Sequence, residues 1–251
     1  MAEAAGIALS AIGIAALFNN ALECFQLYRV GQAFGQDFET YQIRLDLLQL
    51  RLSQWGEAVG LDKVGENDKL PFDNINLELA QRALDQIVSL FDKATTKVDN
   101  HDPAAAEANP SAKLRNLCGK MHGLSVKRMN KAREPSMLTK TKWALIGRKE
   151  VDDLVKSISD LLTEFIAAFP TDIIKKQEEL CIADAAELRN VDQEAFTYLK
   201  NAMSEQDKQL RDALEKVGAV THHNTNTFSG ENRGVQLGQN YGTQENRFGG
   251  S

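Results

Sequence analysis

The chain has 251 residues, 43% of them hydrophobic, with only 17 glycines and 5 prolines, which leaves enough apolar surface for a sizeable core in one or two domains. Cys24, Cys118 and Cys181 are an odd number without metal or redox spacing, which excludes a disulfide framework and points to a reducing intracellular compartment. The formal net charge of −6 is unevenly spread: residues 111–149 hold eleven Lys/Arg against Glu134 alone, about +10, so the rest carries about −16.

The first element is an uncharged run of nineteen positions, residues 4–22, close to the ~20 that a helix needs to span a bilayer. Ile7, Leu9, Ile12, Ile14, Leu17 and Phe18 supply hydrophobicity, while Ala4, Gly6, Ala8, Ser10, Gly13 and Ala16 supply small faces for close helix packing. No Lys or Arg precedes Arg29, and Glu3 and Glu23 flank the run, so it is not a secretory signal. Its alanine content argues against a permanent span. The expectation is an apolar N-terminal helix over residues 1–22 that is buried in a bundle at rest and can enter lipid when triggered.

Helical periodicity continues through most of the chain. Tyr41, Leu45, Leu48, Leu52 and Trp55 fall three or four apart, as do Leu84, Ile87, Val88 and Phe91. Val151, Leu154, Val155, Ile158, Leu161, Leu162, Phe165 and Phe169 form a third stripe. Breaks at residues 60–71, 102–110, 134–135 and 169–170 and at Gly147 leave about six helices, the last running from Pro170 to about Val217. A short extended piece is expected at residues 143–146, with no other strand before the tail. The fold class is therefore all-α, a multi-helix bundle over residues 1–217, followed by a disordered, amyloid-forming tail over residues 218–251.

The basic stretch has three readings. Lys113, Arg115, Lys120, Lys127, Arg128, Lys131, Arg133, Lys140 and Lys142 can meet anionic lipid headgroups, pair internally with acidic helices, or meet nucleic acid. Trp143 is its only aromatic residue and no base-reading module is recognisable, so no nucleic-acid partner is expected.

The tail, residues 221–251, lacks what a folded domain needs and keeps what a self-stacking strand needs. Gly230, Gly234, Gly238 and Gly242 recur every fourth position, among Asn224, Asn226, Asn232, Gln236, Gln239, Asn240, Gln244 and Asn246. Phe228, Val235, Leu237, Tyr241 and Phe248 are its sizeable apolar residues, and it has no proline. One copy cannot build a core, whereas many copies in register can, through amide ladders and a dry apolar seam. Glu231, Asn232 and Arg233 recur as Glu245, Asn246 and Arg247, which suggests two similar layers. The alternative is a flexible polar tail.

Enzyme chemistry finds no anchor. His101, His122, His222 and His223 lack HExxH or Cys/His metal spacing, and the tail glycines precede no Gly-Lys-Ser/Thr. The adjacent pairs Asp152 with Asp153 and Glu178 with Glu179 read as solvated helix faces. No catalytic residue, metal or cofactor is expected.

Gly6 and Ile7, then Leu17, Phe18, Asn19 and Asn20, Cys24 and Phe25, Gly31, Phe34 and Gly35 begin a pattern. Arg44, Leu45 and Asp46, Arg51, Leu52 and Ser53, and Trp55, Gly56, Glu57, Ala58 and Val59 continue it. Together with Trp143, Ala144 and Leu145 and with Ala168, Phe169 and Pro170, these residues resemble the HeLo domain of the fungal HET-s/HET-S heterokaryon-incompatibility proteins. In the tail, Asn226, Thr227, Phe228, Ser229 and Gly230, with Asn232, Gly234, Gln236, Gly238, Asn240, Tyr241 and Gly242, are similar to the sigma-type amyloid motifs of fungal NACHT-receptor signalling. Val235, Gln236, Leu237 and Gly238 also resemble the core of animal necroptosis amyloid motifs. The resemblance implies a non-enzymatic cell-death executor whose tail is templated by a NACHT/NLR-type receptor carrying a matching motif. It further implies self-association into fibril and oligomer, and relocation from the cytoplasm to the anionic plasma membrane, which the N-terminal helix then permeabilises. The competing class is a non-lytic, prion-like adaptor that uses the same tail only to assemble complexes.

Overall fold

The computed structural model describes residues 10–30, 37–65, 68–96, 112–129, 142–144, 148–189, 193–203 and 208–220. Within them the order is α1 (Ala11–Leu27), β1 (Tyr28–Val30), α2 (Asp37–Ala58), α3 (Asn74–Thr96), α4 (Ala112–Lys127), β2 (Lys142–Ala144), α5 (Arg148–Ala167), α6 (Thr171–Arg189), α7 (Gln193–Ala202) and α8 (Lys208–Val220). The all-α class is what the structure has. β1 and β2 pair in parallel, Arg29 opposite Trp143. The extended piece expected at residues 143–146 thus overlaps β2, while three-residue β1 carries too short a signal for alternation to show.

The bundle is organised around α2. One face of this helix, Tyr41, Leu45, Leu48, Leu52 and Trp55, joins a hydrophobic cluster with α1, α3 and α5. Ile43, Leu47 and Leu50, on another face, join a second cluster with α4, α6, α7 and α8. A helix apolar on several faces has to be central, and its buried polar residues must then find partners inside. Gln49 Nε2 donates to the Leu22 carbonyl at 3.3 Å, and Gln54 Nε2 donates to Asp184 Oδ2 at 2.7 Å.

Local sequence explains the helix ends. At the C-terminus of α2, Gly60 adopts φ +85°, the left-handed region that glycine enters without penalty. The Gly60 amide then donates to the Glu57 carbonyl at 3.0 Å and the Leu61 amide to the Gly56 carbonyl at 2.8 Å, a Schellman closure. Asp73 caps α3 by accepting from the Asn76 amide at 2.9 Å. Pro170 opens α6, its carbonyl receiving the Ile173 amide at 3.1 Å.

Among the described residues eight helices replace the six expected, because the single helix drawn from Pro170 to Val217 is three, α6, α7 and α8. The buried face of α6 includes Gln177 and Asp184 between Ile173, Cys181, Ala185 and Leu188, so its apolar period is too diluted to show where it stops. The edge drawn at residue 217 falls inside α8, which runs to Val220.

Candidate functional site: a caged helix and a buried ion-pair node

Ser10 starts α1. Its Oγ accepts from the Gly13 amide at 3.1 Å and its carbonyl from the Ile14 amide at 3.1 Å. From there Ile14, Ala15, Phe18, Ala21, Leu22 and Phe25 are buried, while Ile12 and Leu17 are half-buried. Ile7 and Leu9 lie outside the described residues. Seventeen residues make α1 about 25 Å long, short of a hydrocarbon core of about 30 Å. Among the described residues no helix is long and apolar enough to cross a membrane.

What holds α1 is mostly aromatic. The Phe18 ring stands edge-on to Trp55 at 6.2 Å between centroids, and Trp55 in turn touches Phe165 at 4.6 Å and Phe169 at 5.4 Å. Further along α1, Phe25 packs on Phe91 of α3 at 4.8 Å. Phe18 reaches Trp55 only because residue 56 is glycine: a Cβ there would lie 2.1 Å from Phe18 Cζ. A glycine inside a helix costs about 1 kcal/mol against alanine, so Gly56 is explained by this contact and not by helix propensity. The indole Nε1 of Trp55 has no hydrogen-bond partner among the described residues.

The opposite face of the same α2 turn carries the second feature. Arg128, just past α4, donates from Nη1 and Nη2 to the two oxygens of Asp184 on α6, at 2.9 and 2.8 Å, and from Nε to Glu57 Oε2 at 2.5 Å. Gln54 shares the Asp184 carboxylate. Burial disfavours the Arg128 charge, but the hydrogen bonds and negative charge of Asp184, then those of Glu57, outweigh it and raise its pKa. The Arg128 side chain is 9% exposed, so the expectation that it belongs to a lipid-headgroup patch is corrected: it pairs internally with acidic helices, the second of the three readings of the basic stretch. Its position four residues after Leu124, in line with buried Leu114, Leu117 and Met121, is the sequence signal that sets it apart from the lysines.

Cys181 stands beside this node. Burial, then the nearby Asp184 charge, pushes its thiol up to about 12. The folded state therefore holds the proton that the unfolded chain gives up at the ordinary thiol value, and this contribution to stability is present below that value and lost as pH rises toward 12. A Cys181→Ala variant should lose stability less steeply between about pH 9 and 11 than wild type in urea titrations, and equal slopes would contradict the thiol's role.

Of the remaining basic residues, Lys113, Arg115, Lys120 and Lys127 are exposed on α4, while Lys131, Arg133 and Lys140 lie outside the described residues. Asp152, Asp153, Glu178 and Glu179 are exposed. Among the described residues no group of three or more His, Cys, Asp or Glu is placed to hold a metal ion. All the tail residues singled out, Asn226 to Tyr241 and Gly242, lie outside the described residues as well.

The family model HeLo, described as prion-inhibition and propagation, matches residues 6–194, which includes α1, the Gly56 turn and the Arg128 node. The chain belongs to the HeLo family. A second model, the SesB domain on fungal death-pathway protein, matches residues 221–246, the span of the glycine-spaced tail motif and the segment directly after α8. Heterokaryon incompatibility protein s of Podospora anserina is 32% identical to this HeLo protein over 252 residues, covering 95% of this chain and 84% of that protein. Heterokaryon incompatibility protein S of the same organism is 32% identical over 237 residues, covering 90% and 78%. The solved HET-S N-terminal domain superposes with a TM-score of 0.69 at 28% identity, covering 83% of this chain and 94% of that one. A mutant form of the HET-s N-terminal domain gives 0.68 at 28% identity, covering 82% and 98%. The family model is described by prion inhibition and propagation and these relatives by heterokaryon incompatibility, descriptions of signalling and not of an enzyme activity.

Proposed function

We propose that this HeLo protein executes regulated cell death in the heterokaryon-incompatibility manner of its relatives: its tail converts to amyloid on a matching template, and α1 leaves the bundle to permeabilise the plasma membrane. The observation that carries the reading is the caging of an uncharged helix segment, Ala11 to Leu22, behind the Phe18 and Gly56 contact in a chain whose residues 221–246 match a death-pathway domain. The trigger is a NACHT/NLR-type receptor with a similar Asn/Gly/Gln motif, the protein self-associates through the tail, and it moves from cytoplasm to plasma membrane on activation. The uncharged run begins upstream of α1, at Ala4, and its nineteen positions approach the length a bilayer requires.

Dye leakage from anionic liposomes, seeded with fibrils of residues 221–251, tests this. Ile12→Asp puts a charge worth about 3 kcal/mol in a bilayer at a position that is only half-buried in the bundle. Wild type is expected to leak, whereas folded Ile12→Asp is expected to stay silent. Gln236→Pro in the tail should abolish seeding, since proline cannot donate to the ladder. The adaptor reading is favoured by the shortness of α1, and equal leakage, or none, from wild type and Ile12→Asp would leave it the better one.

A further inference from the structure

Arg128 and Met129 are consecutive residues that hold different parts of the bundle. Both backbone amides close the end of α4, Arg128 donating to the Ser125 carbonyl and Met129 to the Val126 carbonyl, each at 3.1 Å, so the two side chains are fixed relative to one another. Arg128 turns to Asp184 and Glu57, whereas Met129 packs on the first hydrophobic cluster and accepts from Gln26 Nε2 of α1 at 3.4 Å. A thioether is a weak acceptor, so packing supplies most of what Met129 gives to α1. Glu57 directly follows Gly56, the residue that seats Phe18. The node therefore reaches the α1 cage at two points, through Met129 and through the Gly56 turn.

Helix α8 borders the node from another side. Gln209 and Leu210, in the first turn of α8, line a small cavity with Gln54, which donates to Asp184, and with Cys181, whose thiol burial keeps protonated. Further along, Leu214 of α8 shares the second cluster with Ala185 and Leu188 of α6, and Arg189 of α6 donates from Nη1 to the Val217 carbonyl. α8 ends at Val220 and the matched tail domain begins at residue 221, so α8 is the element next to the tail. An ion pair fixes its partners firmly while it is dry, and the same pair in contact with water holds them weakly. We propose that α8 is a lid over the node and that Arg128 and Met129 are a strap between the node and α1: α8 docked keeps Asp184 and Arg128 dry and Met129 pressed on α1, and α8 undocked loosens α1. The coupling belongs to the unseeded chain and stands whether or not α1 enters lipid. It gives an event beside the tail a route to a helix in the other hydrophobic cluster. Because α6 also reaches the first cluster directly, through Ile173 and Leu180, the test has to isolate the strap.

The test is hydrogen exchange of the unseeded full chain with α8 undocked by Leu210→Asp and Leu214→Asp, two buried positions one turn apart on that helix. Amides of α1 from Phe18 to Gln26 are expected to exchange about tenfold faster than in wild type, while those of α3 and α5 keep their protection. Two further changes cut the strap. Arg128→Met with Asp184→Leu replaces the pair by apolar side chains that do not depend on dryness, and Met129→Ala removes the contact with α1. In either background, undocking α8 is expected to alter α1 exchange by less than about twofold. If the double Asp change prevents folding, Leu214→Asp alone carries the same comparison. Unchanged α1 exchange on undocking α8, equal acceleration of α1, α3 and α5, or an α1 effect that survives either strap variant would each overturn the proposal. Leakage after seeding is scored separately: a coupled bundle that never leaks keeps this inference and removes the executor function, and leakage from a chain whose α1 exchange ignores α8 does the reverse.

Discussion

Asp184→Ala is expected to lower the unfolding free energy by about 3–5 kcal/mol, a large part of what a domain of this kind possesses. Alanine leaves the Arg128 guanidinium where it is, in a site of 9% side-chain exposure, with Glu57 as its remaining acidic partner among the described residues and two donors unmet. Arginine cannot escape by losing its proton, so the full desolvation cost stays in the folded state. Asp184→Asn should fall between, because the amide oxygen still accepts one hydrogen bond but brings no charge. The informative control removes both partners: Arg128→Met with Asp184→Leu should recover most of the loss, as buried pairs replaced by apolar residues are often neutral. Urea unfolding of wild type, Arg128→Met, Asp184→Leu and the double variant reads the coupling directly. A cost below about 1 kcal/mol for Asp184→Ala would mean that water reaches Arg128, and the node would then be a surface pair.

The node and the α1 cage share one helical turn, and this is where the sequence is hardest to read. Three apolar stripes are legible, on α2, α3 and α5, because Tyr41 to Trp55, Leu84 to Phe91 and Val151 to Phe169 repeat at helical spacing and each packs one uninterrupted face. Burial of Ile14 and Phe18 follows from the same logic. The contacts that define the site do not, since Phe18 meets residue 56 and Arg128 meets Asp184 across the bundle, and no local period encodes such pairings. Two anomalies do point at them: a glycine inside an apolar helix, and single charges, Arg128 and Asp184, in register with buried leucines. As exceptions to periodicity, they mark the places where packing or pairing outweighs propensity. The basic stretch is legible as a charge run, but only the fold separates Arg128, which points inward, from Lys113, Lys120 and Lys127, which point out.

Phe18→Ala should be the second costly substitution, at about 3–5 kcal/mol, since it deletes a fully buried ring and leaves a cavity against Trp55. Gly56 supplies the decisive comparison. In wild type, Gly56→Ala drives a methyl to within 2.1 Å of Phe18 Cζ, and because that ring is wedged against Trp55 the relief must come from α1 moving away. Strain of about 1–3 kcal/mol then exceeds the ~1 kcal/mol of helix propensity gained, and the variant is less stable. With Phe18→Ala already present the clash is gone, so the same Gly56→Ala change should stabilise by up to about 1 kcal/mol. Thermal or urea unfolding of the two singles and the double measures this reversal of sign. A cost that is the same in both backgrounds would show that Gly56 is not what seats α1. Hydrogen exchange localises the effect: Gly56→Ala should lose protection first along α1, with α4 and α6 holding theirs, because the second cluster makes no use of Phe18. A bundle loosened only there has already done part of the work that tail conversion is proposed to do. Gly56→Ala should therefore need less fibril seed than wild type to reach the same liposome leakage, and a higher requirement would separate α1 release from permeabilisation.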